Sequence, residues 1–463
     1  MSEKPKNQCI QTLIALFTKG EIDECNIEAQ KAVKIYPTEP FLFNILGITH
    51  AASLSFAESI NNYKKAIKLN PEYFEAYNNM GVAYNDWKKP DLAIGCLRRA
   101  IELKPSYPDA FNNLGNSQKE LSDLEGAVKS YEQAILINPN YIDAMCNLGI
   151  VLGMQERYKD AEEVYKRALG IDPTRKQTVY LYASLLLNSK KFTEAEEKFQ
   201  SILVSDPKFA EAFNGLGLVY LQKKIFGKAK DYFKIAISLK EDYLDAMTNY
   251  ALTLQENREF DQSIKLFEKV LSSDKNSLRA YNNLGKASLD KGDLLYAKKI
   301  FFEGLKIDRN YLPILNNLVD LLLLMRELSI AEKIVNSMLD KNPDSAEALN
   351  ALGSIYEKRG DLIKAEEFIS KALDLRPDFY AARLNMITIK QHYGETYRAV
   401  DLLEELLEDK PQEANVNNNL SNLYLLLGQL KKGWDKYEYR WKSFPGVRVV
   451  WPIKDNDLWE GQE

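Results

Sequence analysis

Few side chains in this 463-residue chain are placed to do covalent chemistry. Its two histidines, His50 and His392, lie far apart, and Cys9, Cys25, Cys96 and Cys146 form no Cys-x-x-Cys pair, so zinc has no clustered nitrogen or sulfur ligands. The cysteines read instead as buried thiols of a reducing compartment. Gly215-Leu216-Gly217 looks like part of a dinucleotide loop, yet no strand precedes it. No Walker loop, no Gly-x-Ser-x-Gly and no His-Glu-x-x-His occurs. Acidic pairs such as Glu366-Glu367 and Glu404-Glu405 are read as solvated helix faces. The sequence therefore assigns no catalytic residue, no metal site and no cofactor, and the chain is read as a non-enzyme.

The chemistry that does recur is that of the carboxamide. Asn79, Asn113, Asn147, Asn249, Asn283, Asn317, Asn385 and Asn419 fall at multiples of 34 residues. One residue earlier in the same register stand Asn44, Asn78, Asn112, Asn214, Asn282, Asn316, Asn350 and Asn418. A carboxamide both donates and accepts, as a peptide backbone does. Asn is also a mediocre helix former, costing about half a kcal/mol relative to Ala. A regular row of such residues matches the repeating amide of an extended chain.

The elements that must carry this row follow from a repeat that overrides a length-based count of about three domains. Stepping by 34 from Gly47 gives Gly81, Gly115, Gly149, Ala183, Gly217, Ala251 and Gly285, then Val319, Gly353, Ile387 and Ser421. A second column, from Cys25 through Ser59 and Ala93 to Gly433, is small at all thirteen positions. A third holds proline at 37, 71, 105, 139, 173, 207, 343, 377, 411 and 445, broken only by Glu241, Lys275 and Arg309. Within one period, Tyr77, Met80, Gly81 and Tyr84 make the stripe of one helix, and Ala93, Leu97, Ala100 and Ile101 that of a second. Lys88, Lys89, Pro90 and Asp91 separate the two, and Pro105 ends the second. The small columns let the helices approach; neither buries its stripe alone, so the units stack. The break at Glu241, Lys275 and Arg309 is read either as altered curvature near 241–311 or as tolerated drift.

Composition bounds the partners. With 61 basic and 66 acidic side chains the net charge is -5, which argues against a general nucleic-acid binder. No apolar run approaches the roughly 20 residues of a membrane helix; Leu321 to Met325 is among the longest, and Arg326 closes it. The opening Met-Ser-Glu-Lys-Pro-Lys-Asn has no apolar stretch behind it, so no secretory signal is visible. The expectation is a cytoplasmic chain with protein or peptide partners, no nucleic acid and no membrane insertion.

The run Ala-Tyr-Asn-Asn-Met-Gly-x-x-Tyr at 76–84, with Ala93, Ala100 and Pro105, resembles the tetratricopeptide repeat. Thirteen units fit over 6–447, with the first and last degenerate, a tail at 1–5 and a Trp- and Pro-containing tail at 448–463. The resemblance implies an all-α fold, a right-handed α-solenoid of about 13 helix-turn-helix repeats whose first helices line a concave groove. Counting from each unit's start, the two asparagine series occupy positions six and five, which that groove would expose. The position-six row also resembles the ladder in O-linked N-acetylglucosamine transferases that contacts the backbone of substrate proteins. Either it grips a peptide here too, or it merely solvates an exposed face. Leu181, Gly215 and Ala351 interrupt it. Position two is acidic (Glu75, Asp109, Asp143, Glu211, Asp245), unlike the basic clamp that chaperone-binding members close on a C-terminal carboxylate. Ile150, Met154, Tyr180, Leu181 and Leu187 are read as inter-repeat packing or, as the alternative, a pocket for a partner helix or apolar side chain.

Trp434, Trp441, Trp451 and Trp459 crowd the end of the sequence and are expected to meet a partner or a further domain, or to fold back on the last repeat. Gly433, Trp434, Tyr437, Glu438, Arg440, Trp441, Trp459 and Gly461 resemble the junction of bacterial proteins that join these repeats to a glycosyltransferase-like domain. The resemblance implies a substrate-recognition arm for a C-terminal glycosyltransferase-like domain or subunit. The alternatives are a longer native protein that is itself a nucleotide-sugar-dependent glycosyltransferase, catalysing beyond residue 463, and a free-standing assembly scaffold unrelated to sugars.

Overall fold

The computed structural model describes residues 5–409 and 411–440, and its regular elements are all helical: twenty-six α-helices and no strand among the described residues. First helices of successive pairs begin at Lys6, Pro40, Phe74, Pro108, Ile142, Lys176, Ala210, Leu244, Leu278, Leu312, Ala346, Tyr380 and Ala414, 34 residues apart each time. Second helices run 14 residues, except for the last, Leu430–Tyr437, with 8. The fold is the all-α solenoid of helix pairs that the columns predict.

Each pair turns in the same way. The residue fifteen places into every unit has a positive φ, glycine at 20, 292, 360, 394 and 428 and a side-chain-bearing residue at 54, 88, 122, 156, 190, 224, 258 and 326. Two hydrogen bonds close the turn, for example Lys88 N–H to Asn85 O at 2.9 Å and Lys89 N–H to Tyr84 O at 2.9 Å. This left-handed cap satisfies the last carbonyls of the first helix and redirects the chain. Side chains then start some helices: Asp123 accepts from Gly126 N–H, Asp293 from Tyr296 N–H and Asp361 from Lys364 N–H.

The glycine column exists because a large side chain of the second helix lies on it. A Cβ added at Gly115, Gly149 or Gly217 would sit 2.5–2.6 Å from the ring of Tyr131, Tyr165 or Phe233, and at Gly81 2.6 Å from Leu97. Gly47 meets Tyr63 and Gly285 meets Phe301 in the same way. These rings are almost wholly buried, each worth about 1.5–3 kcal/mol of hydrophobic burial. In two units where the first helix carries bulk, the second gives it up: Val319 faces Val335 across the same two positions, and Leu13 faces Ala29, all four buried; Ile387 and Leu403, both large, are also buried at these positions. That exchange explains the first unit, which the columns mark as degenerate but which folds as the regular pair Lys6–Thr18 and Ile22–Ile35. Small residues of the second column also bond back, Ser59 Oγ donating to Gly47 O at 2.7 Å and Cys25 Sγ to Leu13 O at 3.6 Å, and in the last unit the first column donates instead, Ser421 Oγ to Gly433 O at 2.8 Å.

The interrupted proline column costs little locally. Asp274 accepts from Asn276 N–H at 3.0 Å and Asp308 from Asn310 N–H at 2.8 Å, across Lys275 and Arg309. Asn138 and Asp172 form the same bond, at 3.1 and 2.9 Å, across Pro139 and Pro173. The aspartate turn does the work of the ring.

Two compact units divide the chain, Met1–Thr253 and Leu254–Glu463. In the first, a core runs through Tyr131, Tyr165, Tyr182 and Phe199. In the second, Phe301, Leu318, Leu322, Val335 and Leu352 form a core cluster. Cys25 and Cys146 are buried as expected, whereas Cys9 and Cys96 are only half-buried, because they fall beside rather than on the helix stripes. Desolvation still pushes the Cys96 thiol up to about 11.

Candidate functional site

The asparagines sit on the first helices, where the 34-residue register stacks them repeat over repeat. Their two series are bonded to each other. Nδ2 of six of the eight position-six residues donates to Oδ1 of the position-five asparagine in the preceding repeat: Asn79 to Asn44 at 3.2 Å, Asn113 to Asn78 at 3.0 Å, Asn147 to Asn112 at 2.9 Å and Asn249 to Asn214 at 3.0 Å. In the second compact unit Asn317 donates to Asn282 at 2.8 Å and Asn385 to Asn350 at 2.9 Å. Asn78 also donates to Asn79 at 3.2 Å, so Asn113, Asn78, Asn79 and Asn44 form one chain.

Burial separates the two series in the first compact unit, whereas in the second Asn282 and Asn350 are half-buried and Asn316 is exposed. Asn44, Asn78, Asn112 and Asn214 are 5–7% exposed, so position five of these repeats does not line a groove. This corrects the expectation that both series face one. A buried carboxamide needs a partner, and the next repeat supplies it. The position-six residues from Asn79 to Asn385 are half-buried, and Asn419 is exposed. Asn283 and Asn419 make no inter-repeat bond. The missed signal was the 35-residue spacing between the two series.

The gaps in the row have causes of their own. Gly215 lies under the ring of Phe199, which belongs to a unit whose first helix carries Ala183 instead of glycine; a side chain at 215 would strike that ring. Leu181 packs into the core beside Tyr180, as does Leu187, whereas Met154 is exposed. Three of the acids at position two are bonded to the segment that closes their own repeat. Asp109 accepts from the Tyr141 hydroxyl at 2.8 Å, Arg175 pairs with Asp143, and Arg376 pairs with Glu347 at 2.7 Å.

At the end of the described chain, Trp434 is 57% exposed and meets Tyr437 edge to face, with ring centroids 4.9 Å apart. Gly433 is demanded by Leu425, which an added Cβ would approach to 2.6 Å. The Arg440 guanidinium lies 4.0 Å from the Tyr437 ring centroid. Trp441, Trp451 and Trp459 lie outside the described residues. Among the described residues no three His, Cys, Asp or Glu side chains are grouped to hold a metal ion, and no helix is long and apolar enough to cross a membrane.

A 34-residue helix pair, a left-handed turn and a small-residue seam define a class, and sequence comparison agrees. Models described as tetratricopeptide repeat match 74–107, 108–141, 130–163, 154–217, 210–243, 250–297 and 346–379, and one described as TPR repeat matches 55–86. The chain belongs to the tetratricopeptide-repeat family. No curated protein is significantly similar to it. Among solved structures, the APC/C hetero-tetramer Cut9–Hcn1 is similar over 91% of this chain and 96% of its own, at 14% identity and a TM-score of 0.43. YrrB, described as a TPR protein with an unusual peptide-binding site, is 25% identical over 40% of this chain and 95% of its own, with a TM-score of 0.33.

Proposed function

We propose that the chain is a non-catalytic protein-interaction scaffold that holds an extended polypeptide along its first helices. The observation that carries this is the position-six row. Each bonded carboxamide is fixed by its neighbour, stays half-exposed, and in Asn113, Asn147, Asn249 and Asn317 keeps its carbonyl oxygen unused. A side chain already fixed loses little entropy on binding, and one acceptor per repeat suits a backbone whatever its side chains.

Because Asn249 and Asn317 also tie repeats together, replacing them would confound binding with stability. Asn283 and Asn419 carry no such bond. The double variant Asn283→Ala, Asn419→Ala should bind fluorescein-labelled, unstructured thirty-residue peptides about tenfold or more weakly, at about 1 kcal/mol per lost contact. Its melting temperature should not fall, since neither residue holds a repeat and Ala is the better helix former. Equal affinity of the variant and the parent chain rejects the reading.

A finer reading makes the scaffold the substrate-selecting arm of a glycosyltransferase-like protein, with transfer carried out by residues after Glu463 or by a separate subunit. The motif from Gly433 to Gly461 supports it. A native mass well above 53.0 kDa supports the fused form, and co-purification of a glycosyltransferase-like subunit with the native chain supports the separate one; the absence of both leaves a free-standing scaffold.

A further inference from the structure

Within the second compact unit the carboxamide row is interrupted at Ala351, and the interruption is hollow. Asn316, one repeat and one residue back and exposed, has no hydrogen-bond partner among the described residues, whereas Asn282 and Asn350 each accept from the next repeat. Ala351 and Asn316 both line a cavity of about 380 Å³. Asp320, one helical turn beyond Asn316, lines it too, with no hydrogen bond or ion pair among the described residues. Its carboxyl is raised above the ordinary value by desolvation, although the residue stays open to solvent on one side. The other acid in the wall, Glu347, is paired with Arg376. No Lys, Arg or His lines the cavity. Val319, Leu323, Met338 and Phe379 give it apolar walls, and Asn385, whose amide donates to Asn350 and Ser354, keeps its carbonyl oxygen available.

We infer that this cavity takes one lysine or arginine side chain of the extended peptide, its methylene stem along Val319, Leu323 and Phe379 and its cationic head at Asp320 and the Asn316 and Asn385 oxygens. The inference rests on the groove-binding reading and adds a side-chain preference to it. A partly desolvated carboxylate without a partner gains more from a cation than a solvated one does, and amphipathic stems favour a pocket with apolar walls and a polar end.

The test uses the full chain and three labelled thirty-residue Gly/Ser/Ala peptides with a central Lys, N-acetyl-lysine or Glu, read by fluorescence anisotropy. The lysine peptide should bind about tenfold or more tightly than the acetyl-lysine peptide, the size expected of a charge-assisted hydrogen bond. Asp320→Asn should erase that preference. Asp340→Asn removes an equal charge from a residue that does not line the cavity and should leave the preference intact. Ala351→Asn restores the missing carboxamide; it should raise the melting temperature by engaging Asn316 and should also remove the preference. Equal binding of all three peptides, or a lysine preference that survives Asp320→Asn, overturns the pocket and leaves the groove reading standing. Failure of every peptide to bind overturns both.

Discussion

Single residues in this chain hold conformations that their side chains resist. Leu54, Lys88, Ser122, Glu156, Lys190, Lys224, Arg258 and Arg326 occupy the left-handed turn with φ between 58° and 63°. Such a conformation costs a side-chain-bearing residue roughly 1–2 kcal/mol, which a glycine avoids while losing about 0.5–1 kcal/mol through its looser unfolded state. Lys88→Gly and Lys224→Gly, both at exposed sites, should therefore each raise stability by up to about 1 kcal/mol. Denaturant melts of the single and double variants check this, and a loss of stability in either would show that the turn is held by contacts of the side chain. These turns could be placed from Lys88, Lys89, Pro90 and Asp91, but not their left-handed hand, because five glycines among thirteen positions do not announce a shared φ. The asparagines show a similar limit. Their row was legible as a period of 34; their bonding was not, because it joins neighbours of unlike position.

Between helices the governing quantity is the combined bulk of two facing residues. Gly285 lies under Phe301, while one repeat on Val319 meets Val335. Gly285→Ala should cost about 1–3 kcal/mol by overpacking, and Phe301→Val alone a similar amount through the cavity it leaves. The double variant should recover part of the loss, since it recreates the pairing at 319 and 335. A thermodynamic cycle from urea melts measures the coupling; additive losses would mean that the backbone, not the ring, sets the spacing. The helix starts themselves were fully legible, since every first helix begins at the predicted phase. The first repeat was undervalued because Leu13 was compared with a column and not with Ala29.

At the scale of the molecule, extensive contacts within each compact unit join helices to those one or two places along the chain. Stability is then a sum of local terms, so unfolding should not be a single event. One tryptophan, Trp87, lies in the first compact unit and the other four follow residue 433. In Trp87→Phe, fluorescence reports only the last repeat and the tail, and its guanidinium midpoint should differ from that of far-UV circular dichroism. Coincident curves with a slope fit for all 463 residues would contradict this. The paired carboxamides bear on how such a chain can change its length. The repeats that begin at Phe74 and Pro108 each carry half of one bond at position five and half of another at position six, like a strip of fabric with hooks along one edge and loops along the other. Excising residues 108–141 would bring Asn78 against Asn147, and the fastening would close again. Excising 312–345 would bring Asn282 against Ala351 and leave a hook without its loop. A repeat can thus be removed with the fastening intact only where both halves of the new joint match.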